Sequence, residues 1–503
     1  MTDATVQDPA ARNLGIAHDS VTVAEQGVAV GFGIAKFATN LGFDIASVGI
    51  KAPAQALEKA AGPNVISSGL HGLGSVVSFA HGATRAGQEL AHGITRASLG
   101  ATKLGLTAAG AQEGELLRLA AGEEAAEIVF AIQEMVRKYV EPLSSVPPEK
   151  LLAAASAWSA VQRAAGIGAS SGQQAALPEH TERWMRFAAA TFGASWLAGL
   201  VDLSFSAAAQ AREVAERGGS PGEAALAWAG VEGHIEILEF EQGSNRLFQP
   251  GYLVAVDHVT GHVVVALRGT SSVRDALSDL ACQPSELQLG GMSGLAHSGM
   301  LIAARRIEGR LADMARIGLD SLGIERPRIV VVGHSLGAGV GALVTALWRD
   351  QGSFPGVDVR CVALACPQIL DEDLSRAVSN FTTSIVLGDD LVPRFSLATA
   401  NDLRSAVLHI NDPVAHGLDP SFASQLLACQ HLAQLHGPLR QAACTAQGRL
   451  FPAGRLIHIV EGRPQEVQAL AFDELIISQD MAAAHMPQRY LKAVQEASRD
   501  HSL

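Results

Sequence analysis

The segment RIVVVGHSLGAGVGALVTALW constrains this chain more than any other stretch. Four β-branched residues, Ile329 to Val332, predict a strand. Gly333 and Gly337 flank Ser335 and permit a cramped turn, and an Ala-, Gly- and Leu-rich run predicts a helix directly after it. A serine at such a turn presents its hydroxyl outward. The helix N-terminus aims free backbone N–H groups and the positive end of its dipole at the same place. Strand, sharp turn and helix together make the nucleophile elbow of the α/β-hydrolase fold. A second G-x-S-x-G, GASSG at 168–172, follows a helical run without a strand and leads into a Gln-rich linker. Ser335, not Ser170, is therefore the candidate nucleophile.

The surrounding texture agrees. From about residue 181, short apolar runs appear: YLVAVDH, HVVVALRGT, RIVVVGHS, VRCVALAC, TTSIVLGDD and RLIHIVEG. Helical segments separate several of them, which predicts a mostly parallel sheet with helices on both faces. The charge-poor stretch 184–201 is read as a buried helix at the start of this domain. At 503 residues the chain is long enough for two or three units. We divide it into a Gly/Ala-rich region 1–112, a helical linker region 113–180 and an α/β-hydrolase domain 181–503.

The region 1–112 carries an internal repeat. VGFGIAKFATN (30–40) is followed by LGFDIASVGIK (41–51), and FAHGATRA (79–86) recurs as LAHGITRA (90–97). An 11-residue offset is close to three helical turns, so equivalent side chains return to one face. The repeat fits an amphipathic helix on a lipid surface, a Gly/Ala-rich helical hairpin packed on protein, or a membrane-inserted hairpin. The first of these resembles, in period and texture, the repeats of perilipins and synucleins. The formal net charge of −13 argues against a nucleic-acid surface, and leaves apolar contact as the main term in any lipid binding. The N-terminus shows no basic segment followed by an apolar run, so no secretory signal is expected. Five scattered cysteines (Cys282, Cys361, Cys366, Cys429, Cys444) lack metal-ligand spacing and read as free thiols of a reducing compartment.

A serine hydroxyl needs a base, and the base needs an orienting carboxylate. In this fold the chain order is Ser, acid, His. TTSIVLGDD ends a strand with two acid candidates, Asp389 and Asp390. The candidate histidines after them are His409, His416, His431, His436, His458 and His485. His409 and His458 lie in apolar runs and read as packed strand positions. His431 and His436 fall in a Leu-rich helical stretch that looks like an inserted cap, 405–447. His485, in a loop before the helix MPQRYLKAVQEA, has the best setting for a mobile base.

Five separated motifs carry a family resemblance. After VVALRGT (264–270) and the D-x-x-x-D-L segment from Asp275, the motifs AHSGM (296–300), GHSLGAG, DLVPR (390–394), FPAGRLIHIV (451–460) and DMAAAHMP (480–487) follow in order and resemble the class 3 lipase family, and within it the sn-1-specific diacylglycerol lipases. The resemblance covers about 180–503. It implies Asp390 as the acid, His485 as the base, and Thr270 and Leu336 as oxyanion-hole donors through their backbone N–H groups. Arg268 then reads as a structural anchor, His334 as a packing or hydrogen-bonding residue, and 271–296 as a loop where the family places its lid. The implied substrate is an acylglycerol or another lipid ester, such as a phospholipid or a polyester granule, with no metal or organic cofactor. The implied setting is intracellular and peripheral on a membrane or droplet. The transmembrane helices of the eukaryotic enzymes are replaced here by the repeats. The competing class is a lipid-surface structural protein with an inert hydrolase domain.

Overall fold

The computed structural model describes residues 148–499 apart from 170–171, 194–213, 215, 217, 243–249, 270–283, 420, 428–430, 445–447, 479 and 482. The 11-residue repeats, Ser170 and Thr270 therefore lie outside the described residues. Among those described, the chain runs α1 (Pro148–Ala164), β1 (Gln173–Gln174), α2 (Thr181–Ala190), α3 (Pro221–Trp228), β2 (Ile235–Glu241), β3 (Tyr252–Asp257) and β4 (His262–Leu267). It continues through β5 (Pro284–Leu289), β6 (Met292–His297), α4 (Ser298–Leu322), β7 (Arg328–His334), α5 (Leu336–Asp350), β8 (Asp358–Leu364), α6 (Glu372–Ala377) and β9 (Thr382–Leu387). The last elements are α7 (Leu397–Asn411), α8 (Phe422–Leu427), α9 (Leu432–Ala443), β10 (Arg455–Val460), β11 (Arg463–Val467) and α10 (Pro487–Arg499).

Nine strands form one sheet in the order β1-β11-β10-β9-β8-β7-β4-β3-β2. The central strands β4, β7, β8, β9 and β10 pair in parallel, while β2, β3, β11 and β1 add antiparallel edges. All six strands read from the sequence are present. The sheet is mixed because β3 runs antiparallel to β4, the Glu-bearing β2 extends that edge, and the short strands β11 and β1 extend the other. Strands β3 and β4 are buried at every position, as expected for strands covered on both faces. One face packs on α4 and α5 through Leu311, Met300, Leu343 and Trp348. The other packs on α2, α3 and α10 through Phe187, Leu226, Tyr490 and Val494. This is the α/β-hydrolase architecture.

Three features differ from the sequence reading. Residues 284–296 are not part of a loop: β5 and β6 form a two-stranded hairpin whose Leu287 and Leu289 are buried and whose Leu295 N–H donates to Asp371 at 2.6 Å. His409 lies on helix α7, where Nδ1 meets the Ser405 carbonyl at 2.5 Å, and not on a strand. Its apolar neighbours face other helices instead of a sheet. Finally, the cap between acid and base does not stand alone. The helices α7, α8 and α9 share a core with α1, built on Trp158, Val161, Ala406, Phe422, Leu435 and Leu439. A helix that precedes the sheet in sequence thus completes an insert near its end.

Among the described residues no helix is long and apolar enough to cross a membrane. Cys361 and Cys366 are buried free thiols, and the partly buried Cys444 sulfur accepts from Arg449 at 2.6 Å. Burial pushes both core thiols up, Cys366 to about 11, so they stay protonated and inert.

Candidate active site

The turn after β7 forms as its glycines require. Ser335 has φ 59° and ψ −128°, a conformation that L-residues avoid and that costs on the order of 1–3 kcal/mol. Two close approaches hold it there. A Cβ on Gly333 would lie 2.3 Å from the Gly337 carbonyl carbon, and one on Gly337 would lie 2.2 Å from the Leu267 carbonyl oxygen. The Ser335 N–H donates to the Leu364 carbonyl at 2.9 Å, which ties the turn to β8. Helix α5 begins at Leu336, so the Leu336 N–H belongs to the first turn and has no partner within the helix.

The acid arrives at the end of β9. Asp390 is fully buried. Its Oδ1 accepts from the Val392 N–H at 2.9 Å. The base comes from the turn before α10. His485 Nδ1 lies 3.0 Å from both carboxylate oxygens of Asp390, and His485 Nε2 lies 2.8 Å from Ser335 Oγ. This connectivity fixes the tautomer: Nδ1–H donates to the carboxylate, and Nε2 accepts from the serine hydroxyl. The Leu391 N–H donates to the Met481 carbonyl at 3.0 Å, which joins the acid loop to the base loop.

The remaining candidates are elsewhere. Asp389 faces away, toward Gly168, where an added Cβ would stand 3.0 Å from its Oδ1, and it acts electrostatically on Arg394 and Arg163. His458 is buried on β10, with Nε2 2.7 Å from the Gly388 carbonyl. Burial, with the nearby Arg394 charge, pushes it down to about 4, so it stays neutral and supports the acid loop from below. His436 pairs with Glu474, His409 stacks on His416 at 4.2 Å, and His431 precedes α9. Thr270 is outside the described residues. Its neighbour Gly269 runs so close to the nucleophile turn that a Cβ there would lie 2.5 Å from the His334 carbonyl oxygen. Arg268 donates to the Gln242 carbonyl, consistent with an anchor for that strand end.

One part of the site escapes the sequence reading. Tyr490 is buried and donates its hydroxyl to Asp390 Oδ2 at 2.6 Å. It stands five residues after His485, on the helix that follows the base, and nothing in its flanking sequence distinguishes it. His334, read from the sequence as a packing or hydrogen-bonding residue, packs against the base. Its ring lies 4.9 Å from that of His485 at 41°, and burial, with the charge of His485, holds it well below the ordinary histidine range. No group of three or more His, Cys, Asp or Glu side chains among the described residues could hold a metal ion.

Residues 264–400 match the family described as lipase (class 3). The chain carries a class 3 lipase domain. Among curated proteins it is 30% identical over 286 residues to diacylglycerol lipase-alpha of Rattus norvegicus, an alignment covering 48% of this chain and 27% of that protein. It is 27% identical over 312 residues to diacylglycerol lipase-beta of Mus musculus, covering 51% of this chain and 46% of that one. The chain thus spans about a quarter to a half of the length of these relatives. Among solved structures, Rhizomucor miehei triacylglyceride lipase matches with TM-score 0.37 and 15% identity over 59% of this chain and 87% of that one. A mutant form of MDLA from Penicillium cyclopium matches with TM-score 0.36 and 18% identity over 59% of this chain and 87% of that one.

Proposed function

We propose that this protein hydrolyses carboxylic esters of acylglycerols through Ser335, His485 and Asp390. The observation that carries the reading is the unbroken hydrogen-bond chain from Ser335 Oγ through His485 to the buried Asp390 carboxylate, built on a strained elbow. The class 3 lipase match and the diacylglycerol lipase relatives support the substrate class. In the first step His485 Nε2 takes the Ser335 proton as Oγ attacks the acyl carbonyl. The Leu336 N–H, with that of Thr270, receives the developing oxyanion. Each such donor contributes roughly 3–4 kcal/mol to the transition state. His485 then protonates the departing glycerol oxygen, leaving an acyl-enzyme. Water, deprotonated by the same imidazole, releases the fatty acid. No step in this scheme calls on a metal or an organic cofactor.

The 11-residue repeats extend the proposal to location. An amphipathic N-terminal helix would hold the enzyme on an intracellular membrane or droplet surface, where its ester substrates are concentrated. The test is a hydrolysis panel of diacylglycerol, monoacylglycerol, phospholipid and polyester granules, with vesicle flotation in parallel. Diacylglycerol turned over faster than the others is the expected result. Deleting 1–112 should abolish flotation while sparing hydrolysis of a soluble short-chain ester. Phospholipid as the preferred substrate would replace the acylglycerol assignment, and flotation unchanged by the deletion would remove the surface role.

A further inference from the structure

We propose that Tyr490 is a positioning residue that sets the orientation of the Asp390–His485 pair, with His334 as the shelf behind it. The proposal rests on the hydrolase reading above and goes beyond it. The Tyr490 hydroxyl donates to Asp390 Oδ2 at 2.6 Å and accepts from the Leu387 N–H at 3.0 Å. It therefore spans the last residue of β9 and the acid that follows. The Tyr490 ring stands edge-on to His334 at 5.4 Å and 80°, and His334 in turn lies 4.9 Å from His485. Ser335, His485, Asp390, Tyr490 and His334 thus close a ring, completed by the peptide bond between His334 and Ser335.

Tyr490 and His334 each keep one protonation state. Burial, reinforced by the Asp390 charge, raises the Tyr490 phenol well above its ordinary range, so it is always a donor to the carboxylate. The His334 ring is held neutral by its burial and puts no competing cation beside His485. The carboxylate has four contacts to share. The Val392 N–H reaches Oδ1, Tyr490 reaches Oδ2, and His485 Nδ1 is equidistant from both. Without the phenol only one fixed donor remains, and Asp390 is free to turn about its own side-chain bond. The imidazole it orients would turn with it, and Nε2 would leave the serine. Misorientation of this kind slows chemistry without changing substrate binding.

The test compares wild type and Tyr490→Phe, which keeps the ring and removes only the hydroxyl. With a soluble short-chain ester, kcat should fall about tenfold while KM stays within about twofold, the size expected for losing one hydrogen bond to a charged group. Fluorophosphonate labelling of Ser335 should slow by a similar factor. A second measurement keeps Tyr490 in place and does not depend on that variant folding. The chain has three tyrosines, Tyr139, Tyr252 and Tyr490. With 3-fluorotyrosine throughout, and Tyr139→Phe and Tyr252→Phe for assignment, the Tyr490 fluorine resonance should shift when the probe occupies Ser335. If Tyr490→Phe melts lower but keeps kcat and labelling rate, or the resonance does not move, the hydroxyl serves only the fold. Wild type failing to label at all would instead remove the hydrolase reading.

Discussion

The two halves of the active site are built in opposite ways. The elbow uses contiguous residues: a strand, Ser335 and a helix, with every tight contact coming from glycines or neighbouring strand ends. The acid and base are 95 residues apart and depend on distant elements. Between them lies the cap α7–α9, and α1 braces both loops. On α1, Ser159 donates to the Ile477 carbonyl at 2.7 Å, and Gln162 donates to the Leu475 carbonyl at 2.8 Å and to Glu474 at 3.1 Å. Arg163 adds its charge toward Asp389. Glu474 and Asp473 also pair with Arg440 of α9, and Arg449 pairs with Asp402 of α7. One half of the site therefore depends on local covalent geometry. The other depends on an ionic and apolar interlock assembled from four parts of the chain.

The sharpest way to break this comparison is at the acid. Asp390→Asn should lower kcat on the order of 10⁴-fold, since the amide no longer fixes the imidazole tautomer. Asp389→Asn, one residue away and turned toward Arg394, should leave kcat within about threefold; steady-state rates on a short-chain ester read both. Equal losses would mean that the loop, and not one carboxylate, matters. A smaller effect is expected in the cap. Trp158 is buried and stacks on His436 at 5.5 Å and 14°. Trp158→Ala should cost about 3–5 kcal/mol of stability, read by urea or thermal unfolding. An unchanged midpoint would detach the cap from the cooperative fold.

The smallest effect is pH-dependent. Burial pushes the Glu474 carboxyl up, but the hydrogen bonds from His436 and Gln162 and the Arg440 and His436 charges more than offset it and leave it below its ordinary value. A carboxyl lowered on folding contributes fully above its unfolded value and loses that contribution as pH falls through the folded one. The contribution therefore fades below about pH 4.5. Glu474→Gln should be less stable at neutral pH and lose less stability than wild type between about pH 5 and 3, an approximate window for carboxylate titration. Parallel melting curves across that range would remove Glu474 from the interlock.

How much of this is legible in the sequence follows the same division. Ser335 is readable because its requirements are local: β-branched residues before it, glycines beside it, a helix after it. The six main strands are readable because burial on both faces makes continuous apolar runs. Asp390 and Asp389 are not separable by residue type, since both end the same strand; only the DLVPR resemblance favours the one that reaches His485. Strand β2 hides behind its glutamates, Glu236, Glu239 and Glu241, of which Glu239 pairs with Arg310. The hairpin β5–β6 looks like a loop because its turn is Gly290-Gly291 and its apolar residues are few. The helix α1 is legible as a helix, but its role and that of Tyr490 are not, for a common reason: their partners are 100 and more than 300 residues away.

The central claim is that Ser335, activated by His485, is the nucleophile. Labelling with a fluorophosphonate probe tests it most directly, because the probe needs an activated serine and no lipid substrate. The wild-type protein should label at one site, mapped by peptide mass to Ser335, and Ser335→Ala should not label. A wild-type protein that stays unlabelled, or a Ser335→Ala protein that labels equally, would contradict the account.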